Sequence, residues 1–249
     1  MTSNTSPTRN DAELREANRQ FYDPLWTGAK LVQPHRFNTW PLFGALAAKA
    51  PRRLEVAPGL RPRLPLAGTR FVDISLPAIQ KLRARGADAI AGLVSALPFA
   101  DASFDLVCAL DIVEHVEDDE AALAELARVA APGAVFLFSA PLHPAYWTAF
   151  DDFVGHRRRY EPADILAKLA RHGFRVEQSA VYGMVPKSTR LLRLGMWWLT
   201  HRRAQAMRWY NRLFMPLSVR LQKPLAFRDG MVPTENVGEV LMVCRKSAG

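Results

Sequence analysis

Short apolar runs alternate with segments of helical periodicity from about residue 53 onward. Runs typical of β-strands occur at 53–57, 70–74, 89–94, 104–110, 134–139, 174–182 and 239–245. Between several of them, apolar residues recur at helical spacing over 77–85, 118–131 and 161–171. Strands joined by helical crossovers form open sheets, so the pattern predicts an α/β fold with a doubly wound, mostly parallel sheet.

Two segments depart from this pattern. Residues 1–50 combine a polar start, a predicted helix over 12–21 and an aromatic-rich piece that is expected to cap the core. Residues 186–238 separate the last two strands, and apolar residues return there at helical spacing from 188 to 221. We therefore predict a cap segment at 1–50 and one domain at 51–249, with a basic amphipathic helical insertion at about 186–238.

Charge is distributed unevenly along the chain. The 249 residues include 33 Lys and Arg against 24 Asp and Glu, a net charge of +9, with the 49% hydrophobic content of an ordinary globular protein. Residues 181–228 hold ten basic and no acidic residues, whereas 101–150 hold nine acidic residues and one basic residue. The basic excess therefore belongs mainly to the insertion, where it favours an anionic partner.

Cysteine content and apolar segments bear on the cellular compartment. Cys108 and Cys244 lie far apart in apolar runs, which argues against a disulfide framework or a zinc cluster. Residues 1–10 lack the apolar core of a signal peptide, and the apolar stretch 194–200 is too short to span a bilayer. We expect a cytoplasmic protein that is soluble or peripherally attached to a membrane.

The candidate chemistry lies at predicted strand ends, because ligands of doubly wound sheets bind outside the carboxyl ends of the strands. The first strand ends in small residues at 57–59, where backbone can approach a ligand closely. The second ends at Asp73, whose carboxylate can accept both hydroxyls of a ribose. Residues 92–99 follow the third strand, and Glu114 and His115 follow the fourth.

Five motifs follow one another at these positions: Leu54–Gly59; Phe71–Ser75; Leu97–Phe99 with Ser103–Val107; Glu114–Val116; and Leu126–Val129 with Pro132 and Gly133. In this order and spacing they resemble the class I S-adenosylmethionine-dependent methyltransferases. The resemblance covers about residues 53–183 and the last strand. It implies a seven-stranded sheet, S-adenosylmethionine as the cofactor, and direct displacement of its methyl group by an acceptor.

The resemblance also implies which residues contact the cofactor. The methionine part is expected to contact Glu55, Ala57, Pro58 and Gly59, and the ribose to contact Asp73 and Ile74. The adenine is expected to contact Leu93 and Val94, and the sulfonium to lie beside Leu110 and Asp111.

This sequence departs from the family pattern in its first crossover. Ala57 replaces a motif glycine, Arg61 occupies a later glycine position, and Leu93 stands where the family often has an acid. Three prolines between residues 55 and 73 argue against a full helix there. We hypothesise that Arg61 or Arg63 faces the cofactor's carboxylate or an anionic group of the substrate. Two solvated loop arginines are the alternative.

His115 is the candidate for proton transfer, because it follows the fourth strand and has a suitable ordinary pKa. A loop histidine with a structural role is the alternative. Asp111, Glu114 and His115 also resemble the metal-binding acidic cluster of some quinone O-methyltransferases. A capping role for Asp111 is favoured over this, and no metal is assigned.

Residues 141–160 follow the fifth strand and are rich in aromatic and cationic side chains. The Gly-His-x-Arg-Arg-Tyr pattern at 155–160 recurs in the family, on the acceptor side of the cleft. Side chains expected to bind the substrate are therefore His143, Trp147, His156, Arg158 and Tyr160. Packing of this segment before the next helix is an equal alternative.

The resemblance and the insertion together favour an enzyme that methylates a small, hydrophobic or lipid-like acceptor. The insertion is expected to act as a lid, either alone or with contact to an anionic membrane surface. The alternatives are an RNA methyltransferase, since basic and aromatic residues suit RNA, and a degenerate cofactor-fold adaptor without catalysis. Nitrogen, oxygen and carbon acceptors share this scaffold, so the sequence does not name the acceptor atom.

Overall fold

Eight strands form one sheet in the order β3-β2-β1-β4-β5-β8-β6-β7. The computed structural model describes residues 22–23, 25–183 and 189–248. The strands are β1 Arg53–Val56, β2 Thr69–Asp73, β3 Asp88–Ala91, β4 Phe104–Ala109, β5 Ala130–Pro141, β6 Phe174–Val181, β7 Arg228–Asp229 and β8 Glu239–Lys246.

The sheet is mostly parallel, as predicted. Strands β3, β2, β1, β4 and β5 pair in parallel, and β8 runs antiparallel between β5 and β6. The two-residue strand β7 adds an antiparallel edge beside β6, so the sheet has eight strands where seven were expected. Strand order reverses between β1 and β4, which places a ligand crevice at their carboxyl ends.

Helices and short turns connect the strands. The α-helices are α1 Trp40–Lys49, α2 Leu76–Arg83, α3 Asp119–Val129, α4 Ala149–Val154, α5 Pro162–Arg171, α6 Thr189–His201, α7 Arg203–Trp209 and α8 Met215–Arg220. A π-helical turn, Tyr210–Phe214, joins α7 to α8. Among the described residues, no helix is long and apolar enough to cross a membrane.

Local sequence explains where the helices next to the crevice begin. Ser75 caps α2, since its Oγ accepts from the backbone N–H of Ala78, and a proline follows in the first turn. Asp118 caps α3 in the same way, accepting from the N–H of Ala121. The first crossover, 57–68, contains no helix, as its prolines predicted.

The core lies on both faces of the sheet because alternate residues of each strand point to opposite sides. In β4, Val107 and Ala109 pack on the face covered by α3 and α5, while Leu106 and Cys108 pack on the other face. Helix α1 covers part of that second face through Phe43, which is fully buried. The sequence predicted an aromatic cap in this region but did not predict α1 as a helix.

The helical insertion packs against the start of the described chain. Residues 22–23 and 25–28 of the cap segment predicted at 1–50 are helical, and from here on the name cap segment refers to these residues alone. Met207 of α7 joins Leu25 and Trp26 in one buried cluster, and Asn211 Nδ2 donates to the carbonyl of Leu25 at 3.2 Å. The helix predicted over 12–21 also lies outside the described residues.

The cap segment packs against the first crossover through the contact between Trp26 and Gly59. Gly59 has a φ of +54°, and a Cβ atom built there would lie 2.2 Å from Cζ2 of Trp26. Only glycine satisfies both the backbone conformation and the indole contact.

We therefore expect Gly59→Ala to destabilise the protein by roughly 1–3 kcal/mol more than Gly86→Ala does, since overpacking adds to the shared backbone strain. Gly86 is the matched control, because its φ is +79° and its Cβ would meet nothing within 4 Å. Denaturant unfolding measures the difference. Equal losses in the two variants, or no recovery in Gly59→Ala when Trp26 is also changed to Ala, would contradict the proposed collision.

Candidate functional site

A cavity opens at the carboxyl ends of β1 to β4, where the strand order reverses. It is lined by Val56, Ala57, Val72, Asp73, Ile74, Gly92, Leu93, Val94, Ser95, Ile112, His115, Val116, Glu117 and Asp118. Five residues predicted to contact the cofactor and the proton-transfer candidate are among this lining: Ala57, Asp73, Ile74, Leu93 and Val94, with His115.

Asp73 lies at the end of β2 with both carboxylate oxygens engaged. Oδ2 accepts from the N–H of Gly59 at 2.9 Å, and Oδ1 accepts from the N–H of Ser75 at 2.8 Å. Burial raises the pKa of Asp73 to about 6, although these donors and the N–H of Ile74 act in the opposite direction. A carboxylate offers about four lone-pair positions, so Asp73 retains capacity to accept hydroxyl groups of a ligand.

The wall of the cavity beside Asp73, formed by the turn after β3, is mainly apolar. Gly92 begins the turn after β3, and a Cβ atom there would lie 2.8 Å from Cγ1 of Val72. Leu93 and Val94 follow, with Ile112 on the β4 side. A flat apolar group such as a purine ring fits such a wall better than a charged group does.

Glu55 faces a different part of the loop. Its carboxylate accepts from the N–H groups of Arg63 and Leu64 at 2.8–3.1 Å, and burial raises its pKa to about 7. Glu55 therefore holds the first crossover in shape and is not among the residues that line the cavity. Pro58, Gly59, Leu110 and Asp111 also lie outside that lining, so their contact with a cofactor remains a prediction.

Arg61 and Arg63 are not solvated loop arginines. The guanidinium of Arg61 lies between the rings of Trp26 and Tyr210, 5.2 Å from each centroid, and its Nη2 is buried without a hydrogen-bond partner among the described residues. Arg63 is 9% exposed and stacks on Phe37 at 3.6 Å. The charge of Arg61 lowers the pKa of Tyr22, against the larger effect of burial. Neither arginine is among the residues that line the cavity.

The cap segment covers this site. The hydroxyl of Tyr22 lies 3.5 Å from Nε2 of His115, and Asp23 accepts from Oγ of Ser75 at 2.7 Å. Burial raises the pKa of Tyr22, and the charges of Glu114, Asp111 and Asp73 raise it further. The sequence marked this piece only by its aromatic residues, and its contacts depend on tertiary packing.

A polar cluster adjoins the cavity on the β4 side. One ligand-type atom each of Glu114, His115 and His156 lies within 4.8 Å of the other two, and the two imidazole rings are 4.7 Å apart. Burial and the neighbouring His156 lower the pKa of His115 to about 3, and burial also lowers the pKa of His156. A histidine with so low a pKa is a weak general base at neutral pH, which argues against the predicted proton-transfer role of His115.

Asp111 does not have the capping role that was expected for it. The short turn Val113–His115 has Ile112 at its N-cap and no side-chain cap. Asp111 has a φ of +52°, and its N–H donates to Oγ of Ser139 at 2.9 Å. Its charge raises the pKa values of Glu114 and Glu239, after the larger effect of burial.

The residues predicted to bind substrate do not form one pocket in the described structure. His143 Nε2 contacts the carbonyl of Thr234 at 2.8 Å, and the exposed Trp147 donates to Asp152 at 2.9 Å. Arg158 donates to backbone carbonyls at 116 and 117, and Tyr160 is buried beside Leu142. Of the five, only His156 joins the cluster next to the cavity.

Solved structures share this fold. A possible histamine N-methyltransferase from Thermotoga maritima superposes with a TM-score of 0.57 at 15% identity, covering 95% of this chain and 100% of that one. A phosphoethanolamine N-methyltransferase from Haemonchus contortus, solved with phosphomonomethylethanolamine and S-adenosylhomocysteine, gives 0.58 at 15% identity, covering 94% of this chain and 60% of that one.

Sequence comparison also finds methyltransferases among the proteins similar to this chain. A family model described as a methyltransferase domain matches residues 60–138. Together with the fold, these matches support a class I S-adenosylmethionine-dependent methyltransferase domain in this part of the chain. A protein of Mycolicibacterium smegmatis named a probable S-adenosylmethionine-dependent methyltransferase is 35% identical over 92 residues, which are 35% of each chain. Demethylmenaquinone methyltransferase of Mycobacterium sp. strain KMS is 36% identical over 85 residues, 33% of this chain and 37% of that protein. The match thus spans about a third of these relatives.

The buried carboxyl of Glu55 gives the stability of this protein a testable pH dependence. The folded state keeps the proton up to about pH 7, whereas a free glutamate releases it near 4.5. The folded state binds more protons between these values, so its stability falls as pH rises through that window. The total effect is on the order of 3 kcal/mol at 1.36 kcal/mol per pKa unit.

We expect Glu55→Gln to flatten the decrease of unfolding free energy between pH 5 and 7. Denaturant unfolding at three pH values measures it, with the exposed Glu235→Gln as the control. Asp73 contributes a slope of the same sign, so part of the decrease should remain. An unchanged slope in Glu55→Gln would show that Glu55 is ionised in the folded protein.

Proposed function

We propose that this chain transfers the methyl group of S-adenosylmethionine to a small, hydrophobic acceptor. The observation that carries the proposal is the buried Asp73 carboxylate, which faces an apolar cavity at the reversal of strand order and retains lone pairs for a diol. This combination suits a nucleoside, since one end needs hydroxyl acceptors and the other a flat apolar wall.

The residues around the cavity fit the cofactor in three places. Asp73 would accept the ribose hydroxyls, and Leu93 and Val94 would cover the adenine. The buried Nη2 of Arg61, which has no partner among the described residues, would bind the carboxylate of the methionine part. When bound, S-adenosylmethionine supplies an electrophilic methyl group on its sulfonium.

The chain's own contribution is then alignment and exclusion of water. Displacement at a methyl group requires the acceptor atom in line and unprotonated, which positioning supplies without an obligatory base. Tyr22 and Trp26 of the cap segment cover the site, and Trp26 also packs against the loop at Gly59. A neutral His115 beside the cavity can orient a polar acceptor group by a hydrogen bond.

A hydrophobic acceptor is supported by the outer face of the insertion. Trp209, Leu213, Leu217 and Leu221 recur every four residues and are 48–68% exposed. The opposite side packs inward through Met207, Met215 and Val219. We call the exposed set the outer stripe. Two of the relatives reported above are named for a menaquinone precursor and for a small amine, and the former is a hydrophobic acceptor.

The charge around the outer stripe favours an anionic lipid surface. Arg208, Arg212 and Arg220 flank it, and residues 181–228 contain no acid. A helix with an aromatic and aliphatic face between basic residues is typical of helices that lie in a membrane interface. We therefore propose that the outer stripe rests on an anionic membrane from which the acceptor is taken.

Changing Arg61 tests the cofactor site. Loss of a charged hydrogen bond costs about 1.5–3 kcal/mol, so Arg61→Ala should weaken binding of S-adenosylmethionine by roughly tenfold to a hundredfold. Isothermal titration measures this, and the exposed Arg85→Ala serves as the control. Unchanged affinity in Arg61→Ala would remove Arg61 from the site. Absence of cofactor binding in folded wild-type protein would favour the adaptor alternative.

Charge placed on the outer stripe tests the membrane contact. We expect the wild-type protein to float with vesicles of anionic phospholipid at low salt, and the double variant Leu213→Glu, Leu217→Glu to remain unbound. Leu76→Glu is the matched control, because Leu76 is 50% exposed on α2. Flotation of the double variant equal to wild type would contradict the proposal. Salt-sensitive binding of RNA without vesicle binding would favour the RNA alternative.

A further inference from the structure

We propose that Glu114, His115 and His156 form a binding site for a divalent transition-metal ion of the zinc type. This site goes beyond the proposed methyl transfer and does not depend on it. The three residues come from two loops: Glu114 and His115 follow β4, whereas His156 follows α4. Their ligand-type atoms lie within 4.8 Å of one another, so small rotations of the side chains would bring all three to about 2.0–2.2 Å from one ion.

The hydrogen bonds around both histidines fix Nδ1 of each ring and turn Nε2 toward the cluster or the cap segment. Nδ1 of His156 contacts Oδ1 of Asp151 at 2.8 Å, and Nδ1 of His115 contacts the carbonyl oxygen of Gly155 at 3.2 Å. Histidines that bind metals usually donate their second N–H to a carboxylate or a backbone carbonyl, which fixes the tautomer and the ring orientation. Both partners are present here, so Nε2 is the nitrogen that would bind an ion in each ring. Nε2 of His156 lies 3.8 Å from Oε1 of Glu114, whereas Nε2 of His115 lies 3.5 Å from the hydroxyl of Tyr22, a long contact that an ion would replace.

Asp151 is itself held rigidly by its neighbours. The carboxylate accepts from the N–H and hydroxyl of Thr148 at 2.7 and 2.8 Å and pairs with Arg159 at 2.8 Å. It is fully buried. The outer shell of a metal site is thus already assembled behind His156, and its orientation does not depend on a ligand.

A second, independent observation that points to a ligand is the unpartnered carboxyl oxygen of Glu114. It is 1% exposed, and its Oε2 has no hydrogen-bond partner among the described residues, while Oε1 lies 3.8 Å from Nε2 of His156. A buried polar oxygen without a hydrogen-bond partner is costly whether the carboxyl is neutral or ionised, and a divalent ion between Glu114 and the two imidazoles would supply the missing partner.

The donor set also indicates which ions fit. Two imidazole nitrogens and one carboxylate oxygen suit Zn²⁺ and neighbouring transition metals, whereas Mg²⁺ and Ca²⁺ prefer oxygen ligands throughout. A site with three protein ligands retains an open position. His115 lines the cofactor cavity, so that position adjoins the space where an acceptor would be held.

Metal binding can be measured on the full chain without methyl transfer. Apo protein is titrated with Zn²⁺ and with Co²⁺, using calorimetry for stoichiometry and the visible d–d absorption of Co²⁺ for coordination. We expect about one ion per chain, and at least tenfold weaker binding in Glu114→Gln and in His156→Gln. His35→Gln is the matched control, because His35 is exposed and distant in sequence from the cluster.

Each outcome decides for or against the site. The proposal would be overturned if the wild-type protein bound no metal ion, or if Glu114→Gln and His156→Gln left the binding unchanged. The two histidines would then have only a structural role. If those variants fail to fold, X-ray absorption of the Zn²⁺-loaded wild type decides, since two imidazoles and a carboxylate are expected and any other ligand set contradicts the assignment. Cofactor titration is independent, so failure of the metal site and failure of the methyltransferase proposal are distinguishable.

Discussion

The site depends on the two hydrogen bonds that the Asp73 carboxylate accepts from the backbone of Gly59 and Ser75. They tie the end of β2 to the loop after β1 and to the start of α2. Ser75 also caps α2 and donates to Asp23, so the same carboxylate is linked to the cap segment. Without these donors, a carboxylate this deeply buried would be strongly destabilising. One acidic residue thus fixes the loop, the helix and the cover of the cavity together.

The cap segment, the first crossover and the insertion are distant in sequence and pack together beside that loop. Trp26 fits because Gly59 has no side chain, and Arg61 lies between Trp26 and Tyr210. The insertion therefore contacts Arg61 through Tyr210 on its inner side and has an outer apolar face through residues such as Leu213. A helix with both roles links the surface to the site, and this link is the physical basis for proposing that a hydrophobic acceptor arrives along it.

Features fixed by local periodicity or by sheet topology could be predicted from the sequence. The strands lie within a few residues of their expected positions, and Asp73 and Leu93 line one cavity because parallel strand ends converge. Features set by tertiary contact could not. The pairing of His156 with Glu114 joins segments 42 residues apart. Helix α1 was missed because a proline and a glycine interrupt its short apolar pattern.

Tertiary contacts also decide where the charge of the chain is expressed. Several acids of the acidic stretch 101–150 are paired at the surface, as Asp105 is with Arg52 and Glu120 with Lys168. Burial raises the pKa of Glu114, which favours its neutral form. The stretch is therefore a weaker source of negative potential than its composition suggests. The arginines beside the outer stripe have no acid near them in sequence, so the net charge of +9 is expressed mainly there. Attraction to an anionic surface should consequently act through the insertion and weaken as salt shortens the Debye length.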